Sequence, residues 1–416
     1  MVKLFIIADD LTGALDTGVK FSENGLHTVV VPLAERVFSM PVDENVDVLV
    51  VNADSRCMTP LEAYDRVYRL ALLAKKLDAE IIYKKVDSAL RGNIGSELSA
   101  MLDAGDGENV TFVPAYPQMN RYTFHGIQYI DGIPLAESVF ADDPFNRVTS
   151  SCVRDIIVQQ APVCACSVQR ETPFDDTLLS NGRKINIFDA RTAQDIDEIT
   201  QQMAIHEKLH LLAGCAGFAE SLAKYLQKDV FLEQRKLPEF RKIFIICGSL
   251  NQITQKQINY EKENGTAEFR LSHGELLNPA YWSTEDGLHK VDVICESICQ
   301  EMVIVDTQGM EILPDKCEQK SDRPAPRRQI ADSLGVLSLH LLERLPETLV
   351  VITGGDTLMG LSRQLNDPFL EPVCEVLKGV VMFRMSVDDR WIYGVSKSGG
   401  FGATDVYRCI ENRLCK

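Results

Sequence analysis

The chain has 416 residues and a net charge of −17, from 43 basic against 60 acidic side chains. That length accommodates two α/β domains with separate cores, and the acidity argues against a nucleic-acid backbone as partner. No apolar run approaches the roughly 18 residues of a membrane span, and the first apolar stretch meets Asp9 and Asp10 too early for a signal peptide. The expectation is a cytoplasmic protein whose twelve cysteines are reduced and mostly buried.

Leu4–Ala8 reads as a buried strand, followed directly by Asp9-Asp10-Leu11-Thr12-Gly13 and a helix that stops at Asn24-Gly25. The two adjacent acids repel one another. A helix N-cap accounts for one and leaves the other to a cation, a hydroxyl or a basic partner. The turn has no G-x-G-x-x-G fingerprint, which counts against a dinucleotide-dependent oxidoreductase. Val46–Val51 is the next strand and ends in Asn52-Ala53-Asp54-Ser55-Arg56, before a helix opened by Thr59-Pro60. Ile81–Tyr83 then runs into Lys84-Lys85-Val86-Asp87-Ser88-Ala89-Leu90-Arg91-Gly92-Asn93, with a helix opening near Gly95. Arg91 offers a planar fork for a carboxylate or phosphate, and Lys84 or Lys85 a compact point charge. Val110–Val113 leads into Pro114-Ala115-Tyr116-Pro117. Four successive strands separated by helices predict a parallel sheet, in which ligands bind beyond the carboxyl ends of the strands. An acidic chain that concentrates positive charge at 84–91 has the makings of an anion site there.

Tyr129-Ile130-Asp131-Gly132-Ile133-Pro134 reads as a hairpin, and 142–147 as a loop. Helices follow at about 150–160 and 192–208, with strands near 163–168 and 184–188. His206-Glu207-Lys208-Leu209-His210 spells H-E-x-x-H, but the helical pattern ends at about Lys208 and His210 begins the next strand. The zinc chemistry of that motif needs both histidines on one helix, so the match is read as chance. Cys164 with Cys166, and Cys295 with Cys299, have no companions at zinc-site spacing. No metal-ligating set is assigned.

The charged stretch 226–241 reads as a linker, and 315–328 as a loop. Beyond the linker, strands are expected at Ile243–Cys247, Ala267–Leu271, Met302–Asp306, Thr348–Thr353, Val380–Arg384 and Trp391–Val395. Three turns between strand and helix are glycine-rich: Gly248-Ser249, Gly354-Gly355-Asp356-Thr357 and Lys397-Ser398-Gly399-Gly400-Phe401-Gly402. Glycines let backbone N–H groups approach phosphate oxygens, and a helix N-terminus adds a favourable dipole. Three such turns in one domain predict a nucleotide site that is not a P-loop, since G-x-x-x-x-G-K-[ST] is absent. Asp356 is a candidate to hold the Mg2+ that accompanies ATP, and the sequence leaves open which residue does so.

Taken together, Ile7–Gly18, Lys84–Gly95, Tyr129–Ser138, Gly354–Thr357 and Lys397–Gly402 resemble the four-carbon acid sugar kinases over almost the whole chain. The resemblance implies two α/β domains, each a mainly parallel sheet flanked by helices. The first, 1–235, would bind the sugar acid and the second, 236–416, ATP, with the active site in the cleft between them. It carries substrate positions onto Asp10, Arg56, Lys85, Val86, Asp87 and Ser88, with Asp9 and Arg91 added from the residue pattern. It carries ATP positions onto Ser249, Gly354, Gly355, Asp356, Thr357, Gly399 and Gly400. Asp10 or Asp87 is expected to accept the proton of the attacking hydroxyl. Val86 stands where threonine is usual, and Cys215-Ala216-Gly217 where small hydroxyl residues are common. The Ser88–Gly92 pattern resembles the D-threonate or D-erythronate branch, with phosphorylation at the 4-hydroxyl. A kinase for 3-oxo-tetronate, D-glycerate or another small hydroxy acid stays open, as does a non-catalytic sugar-acid-binding protein. No nucleic acid or membrane is expected as partner, and the sequence leaves a homo-oligomer open.

Overall fold

Short runs of branched apolar residues supply the strands of both halves of the chain. The computed structural model describes residues 2–38, 43, 45–143, 146–175, 178, 182–228, 237, 239–307 and 326–415. The chain divides into two units, residues 1–231 and 232–416. The linker expected at 226–241 and the loop expected at 315–328 lie largely outside the described residues, as does part of the loop at 142–147.

In the first unit the parallel strands are β1 (Leu4–Ala8), β2 (Thr28–Val31), β3 (Val48–Asn52), β4 (Ile81–Lys85) and β5 (Val110–Val113). A hairpin sheet follows, of β6 (Arg121–Phe124), β7 (Ile127–Ile130) and β8 (Ile133–Pro134), then β9 (Cys164–Val168), β10 (Lys184–Phe188) and β11 (Leu211–Gly214). The main sheet has the order β2-β3-β1-β4-β11-β5-β10-β9 and is parallel throughout. Helices cover both faces of such a sheet, which is why its central strands are unbroken apolar runs rather than alternating ones. β1 through β5 are wholly buried. The strand β2 went unread in the sequence, so five strands, not four, precede the hairpin.

In the second unit β12 (Lys242–Cys247), β13 (Ala267–Arg270), β14 (Val303–Asp306), β15 (Thr348–Thr353) and β18 (Arg390–Lys397) are parallel, in the order β13-β14-β12-β15-β18. β17 (Val380–Val387) and β16 (Leu370–Leu377) add to β18 antiparallel. β16 was also unread, because Pro372 inside it reads as a strand breaker. Pro326, expected in a loop, instead opens the helix Pro326–Arg344, a position where proline's fixed φ and missing N–H do no harm. The cysteines depart from expectation too. Among those described, only Cys215 and Cys247 are buried, and exposed Cys164 stands on β9, at the end of its sheet.

The helices Pro326–Arg344 and Gly355–Gln364 cross at two glycines. A Cβ on Gly335 would strike the Gly360 carbonyl, and one on Gly360 the Ala331 carbonyl. The contact is backbone against backbone, so neither side has a rotamer with which to yield. Replacing Gly360 by alanine improves helix propensity by about 1 kcal/mol, but overpacking costs about 1–3 kcal/mol and the helices must part. A lower urea midpoint for Gly360→Ala is expected. A variant as stable as the parent or more so would show that the crossing is loose.

Candidate functional site

In the first unit the register decides which charges gather at one end of the sheet. Ala8 pairs with Asn52 on one side and Lys85 on the other, so β1, β3 and β4 end together and deliver Asp9-Asp10, Arg56 and Asp87 to one place. Asp10 caps the helix Leu11–Ser22, its Oδ1 accepting from the Gly13 N–H at 2.8 Å. The cap explains Asp10 and leaves Asp9 to another partner. Arg56 is that partner: its Nε donates to Asp9 Oδ2 at 2.7 Å, and its Nη1 donates to Asp10 Oδ2 at 2.8 Å. Arg91 grips both oxygens of Asp87 at 2.7 and 3.0 Å, and its third nitrogen reaches Asp143 at 3.1 Å. Every one of these groups is largely buried, where paired charges are worth more and unpaired ones cost more.

Strand alternation separates the two lysines. Lys84 turns to the far face and forms a fully buried ion pair with Glu97 at 3.0 Å, whose other oxygen accepts from Ser55. Lys85 turns to the site, where its ammonium donates to the Val86 carbonyl at 2.8 Å. A Cβ at position 13 would stand 2.5 Å from Asp10 Oδ1 and 2.8 Å from Lys85 Nζ. Gly13 therefore leaves the space in which carboxylate and ammonium meet. The Val86 side chain is buried and offers no hydroxyl. Ser88 accepts a hydrogen bond from Arg121 of β6, and its carbonyl accepts from Gln128 of β7 at 3.3 Å. Phe140 lies against both Arg91 and Arg121, at 5.1 and 5.4 Å from ring centre to guanidinium carbon. Arg121, Gln128, Glu97 and Phe140 escaped the sequence reading, since nothing local marks a residue that meets the cluster only through the fold.

Burial alone would push the Asp87 carboxyl up, but the Arg91 and Arg56 guanidinium groups outweigh it and hold it well below the usual range. Asp10 is also lowered: burial opposes, and Arg56, Lys85 and the Thr12 hydroxyl prevail. Glu97 goes the other way, raised by burial ahead of the pull of Lys84.

In the second unit the three glycine turns converge. A Cβ on Gly399 would strike Ser249 Oγ, one on Gly248 would strike Thr357 Oγ1, and one on Gly354 would lie 3.7 Å from Ser249. Gly354 has φ of 110°, a conformation that side chains resist. Asn251 caps the helix Gln252–Glu263, and Gly355 opens the helix Gly355–Gln364, so two helix N-termini, whose first N–H groups have no intrahelical partner, border the same turns. Two residues of the first helix fasten the third turn: Thr254 Oγ1 donates to the Gly399 carbonyl at 2.7 Å, and Gln257 Nε2 to the carbonyls of 401, 402 and 403 at 2.9–3.0 Å. Gly400 adjoins Asn251. Asp356 is held by both arms of Arg327 at 2.6 and 2.8 Å.

The helix Ala193–Ile205 stops before the H-E-x-x-H stretch. His206 is its C-cap, Glu207 has φ of 54°, and the His210 ring bonds the Glu80 carbonyl at 2.8 Å. Its two histidines do not share a helix. Among the described residues no group of three or more His, Cys, Asp or Glu stands ready to hold a metal ion, and no helix is long and apolar enough to cross a membrane.

The sign of the Asp87 shift sets an acid test. A carboxyl whose folded pKa is depressed stabilises the fold above its unfolded pKa, about 4. That stability is lost as pH falls through the lower, folded value. Arg91→Gln releases Asp87 toward the usual range, so acid unfolding followed by circular dichroism should begin at higher pH than in the parent. Superimposable acid curves would show that the pair contributes nothing.

The sequence model of the sugar-binding N-terminal domain family matches residues 4–222, and that of the nucleotide-binding C-terminal domain family matches 244–406. A D-threonate kinase of Salmonella typhimurium is 27% identical over 437 aligned positions, covering 100% of both chains. A D-erythronate kinase of Heliobacterium modesticaldum is 30% identical over 307, covering 70% of this chain and 67% of its own. Among solved structures, a Salmonella typhimurium LT2 protein has the same fold at a TM-score of 0.75 and 20% identity, with 100% of each chain covered. The chain belongs to the four-carbon acid sugar kinase family.

Proposed function

We propose that the protein transfers the γ-phosphoryl group of ATP to the terminal 4-hydroxyl of a four-carbon sugar acid, D-threonate or D-erythronate, in the cytoplasm. The observation that carries the substrate half is the gathering of Arg56, Arg91 and Lys85 with Asp9, Asp10 and Asp87 at the ends of β1, β3 and β4. A small hydroxy acid needs cations for its carboxylate and acceptors for its hydroxyls, and this cluster holds both. The converging turns around Ser249, Gly354–Thr357 and Gly399-Gly400 support ATP as donor, because backbone N–H groups and helix N-termini suit phosphate.

Asp10 is the better candidate to accept the hydroxyl proton. Both carboxylates are engaged at both oxygens, Asp87 by Arg91 and Asp10 by the Gly13 N–H, the Thr12 hydroxyl and Arg56, but the Asp10 side chain is the more open, 20% exposed against 8%. Lys85, beside Asp10 and Gly13, then lies where charge shifts as the hydroxyl loses its proton. Asp87 keeps Arg91 oriented, and Arg56 keeps Asp9 and Asp10 from repelling one another. In phosphoryl transfer such positioning and charge neutralisation supply most of the rate.

Magnesium in such enzymes takes one or two carboxylates together with phosphate oxygens. Asp356, half exposed and at the mouth of a glycine turn, fits that role once it leaves Arg327. It is the residue that would hold the ion, whose chemistry is to neutralise phosphate charge.

Coupled ADP release with Mg-ATP should show turnover on D-threonate or D-erythronate above their L-forms, 3-oxo-tetronates and D-glycerate. Asp10→Asn should lower kcat by about 10²–10⁴ and leave ATP affinity within a few-fold of the parent. Turnover on none of these acids by a folded, ATP-binding protein would overturn the substrate. Near-normal kcat in Asp10→Asn would overturn the base.

A further inference from the structure

The last residues of four adjacent parallel strands, Asp306 of β14, Cys247 of β12, Thr353 of β15 and Lys397 of β18, are in register. Neighbours in register project to the same face of a sheet, and all four are buried, Lys397 completely. Its ammonium donates to the Ser398 carbonyl at 3.1 Å and lies 5.8 Å from the centre of the Tyr407 ring. Among the described residues it has no carboxylate at ion-pair distance. Asp306, the carboxylate of the row, is three strands away, about 14 Å at ordinary strand spacing.

The other titratable groups around it do not make up the charge. Burial pushes the Cys247 thiol up to about 12, so it stays neutral. Tyr407, on the helix Val406–Leu414, is raised well above its usual value, again by burial first. Glu261, on the helix that fastens the glycine turn, is engaged by Arg408 at 3.1 Å and by Thr266 at 2.9 Å. Burial of an ammonium with so little compensation is unfavourable and pushes Lys397 down to about 8.

A leucine or methionine would pack there without that penalty. What distinguishes the position is its place directly beneath the third glycine turn, with the Lys397 carbonyl accepting from the Gly354 N–H at 3.1 Å and so joining the second turn to the third. We infer that Lys397 is the fixed cation of the nucleotide site, held without a counter-ion until triphosphate oxygens over the turns supply one. The inference rests on the second unit being the ATP-binding one.

Mg-ATP binding by calorimetry to the full chain and to Lys397→Met, between pH 7 and pH 9, tests it. A free ammonium with a pKa near 8 that is charged in the complex makes wild-type affinity fall about tenfold over that range. The variant should bind at least tenfold more weakly at pH 7, show no such slope, and melt no lower than the parent. Equal affinity and an equal slope in the two proteins would overturn the inference. Should the variant fold poorly, the wild type still decides at pH 8 in two buffers of different ionisation heat: proton uptake on binding supports the assignment, and none overturns it. Wild-type protein that binds no Mg-ATP would remove the nucleotide reading itself, and this inference with it.

Discussion

Three aspartates and two arginines lie within reach of one another where β1, β3 and β4 end, and the first unit is built so that none of them is left alone. Arg56 bridges Asp9 and Asp10, and Arg91 holds Asp87 with both arms. Taking these charges out of water costs several kcal/mol per ion, and only close pairing repays it. The constraint reaches outward. Asn93, at the start of the helix Ile94–Ala104, donates to the carbonyls of Ser55 and Met58 at 2.9 Å. It thereby fixes the loop that carries Arg56. Lys84 and Glu97 tie the same helix to β4 from behind.

The two units gather polar groups at the ends of their parallel strands by different means. The first gathers side-chain ions, directional and individually strong. The second brings three glycine turns and two helix N-termini together, with Lys397 buried at the end of β18 beside them. Glycine stands there where a Cβ would strike Ser249 or Thr357. In the first unit Gly13 does a different job, making room for a lysine beside a carboxylate.

Much of this was legible in the sequence because it is local. Asp9-Asp10, Arg56 and 84–91 each follow a recognisable strand, and the end of a parallel strand is where a ligand residue is expected. The three glycine turns announced themselves in the same way. What the sequence withheld is long-range. Arg121 and Ser88 are 33 residues apart, and no periodicity links them. Likewise the roles of Lys84 and Lys85 follow from which face of β4 each occupies, a matter the two adjacent letters leave open. The strand Thr28–Val31 is as short and apolar as Val110–Val113 and no physical feature hides it, whereas Pro372 disguises another.

The hairpin sheet shows why an apparently peripheral element belongs to the site. Leu90 has φ of 54°, a left-handed conformation that a leucine adopts at a cost of about 1–3 kcal/mol. Its N–H bonds the Asp87 carbonyl at 2.9 Å, closing a tight turn that sends Asp87 and Arg91 toward each other. That turn is strained and needs an outside grip. β6 and β7 provide it through Arg121 and Gln128, which take hold of Ser88 by its hydroxyl and its carbonyl. Gln128 is itself oriented by Thr123 at 2.7 Å. Without these strands the strained turn would relax, and the Asp87–Arg91 pair would lose the geometry that keeps a buried carboxylate and a buried guanidinium compatible with a folded core.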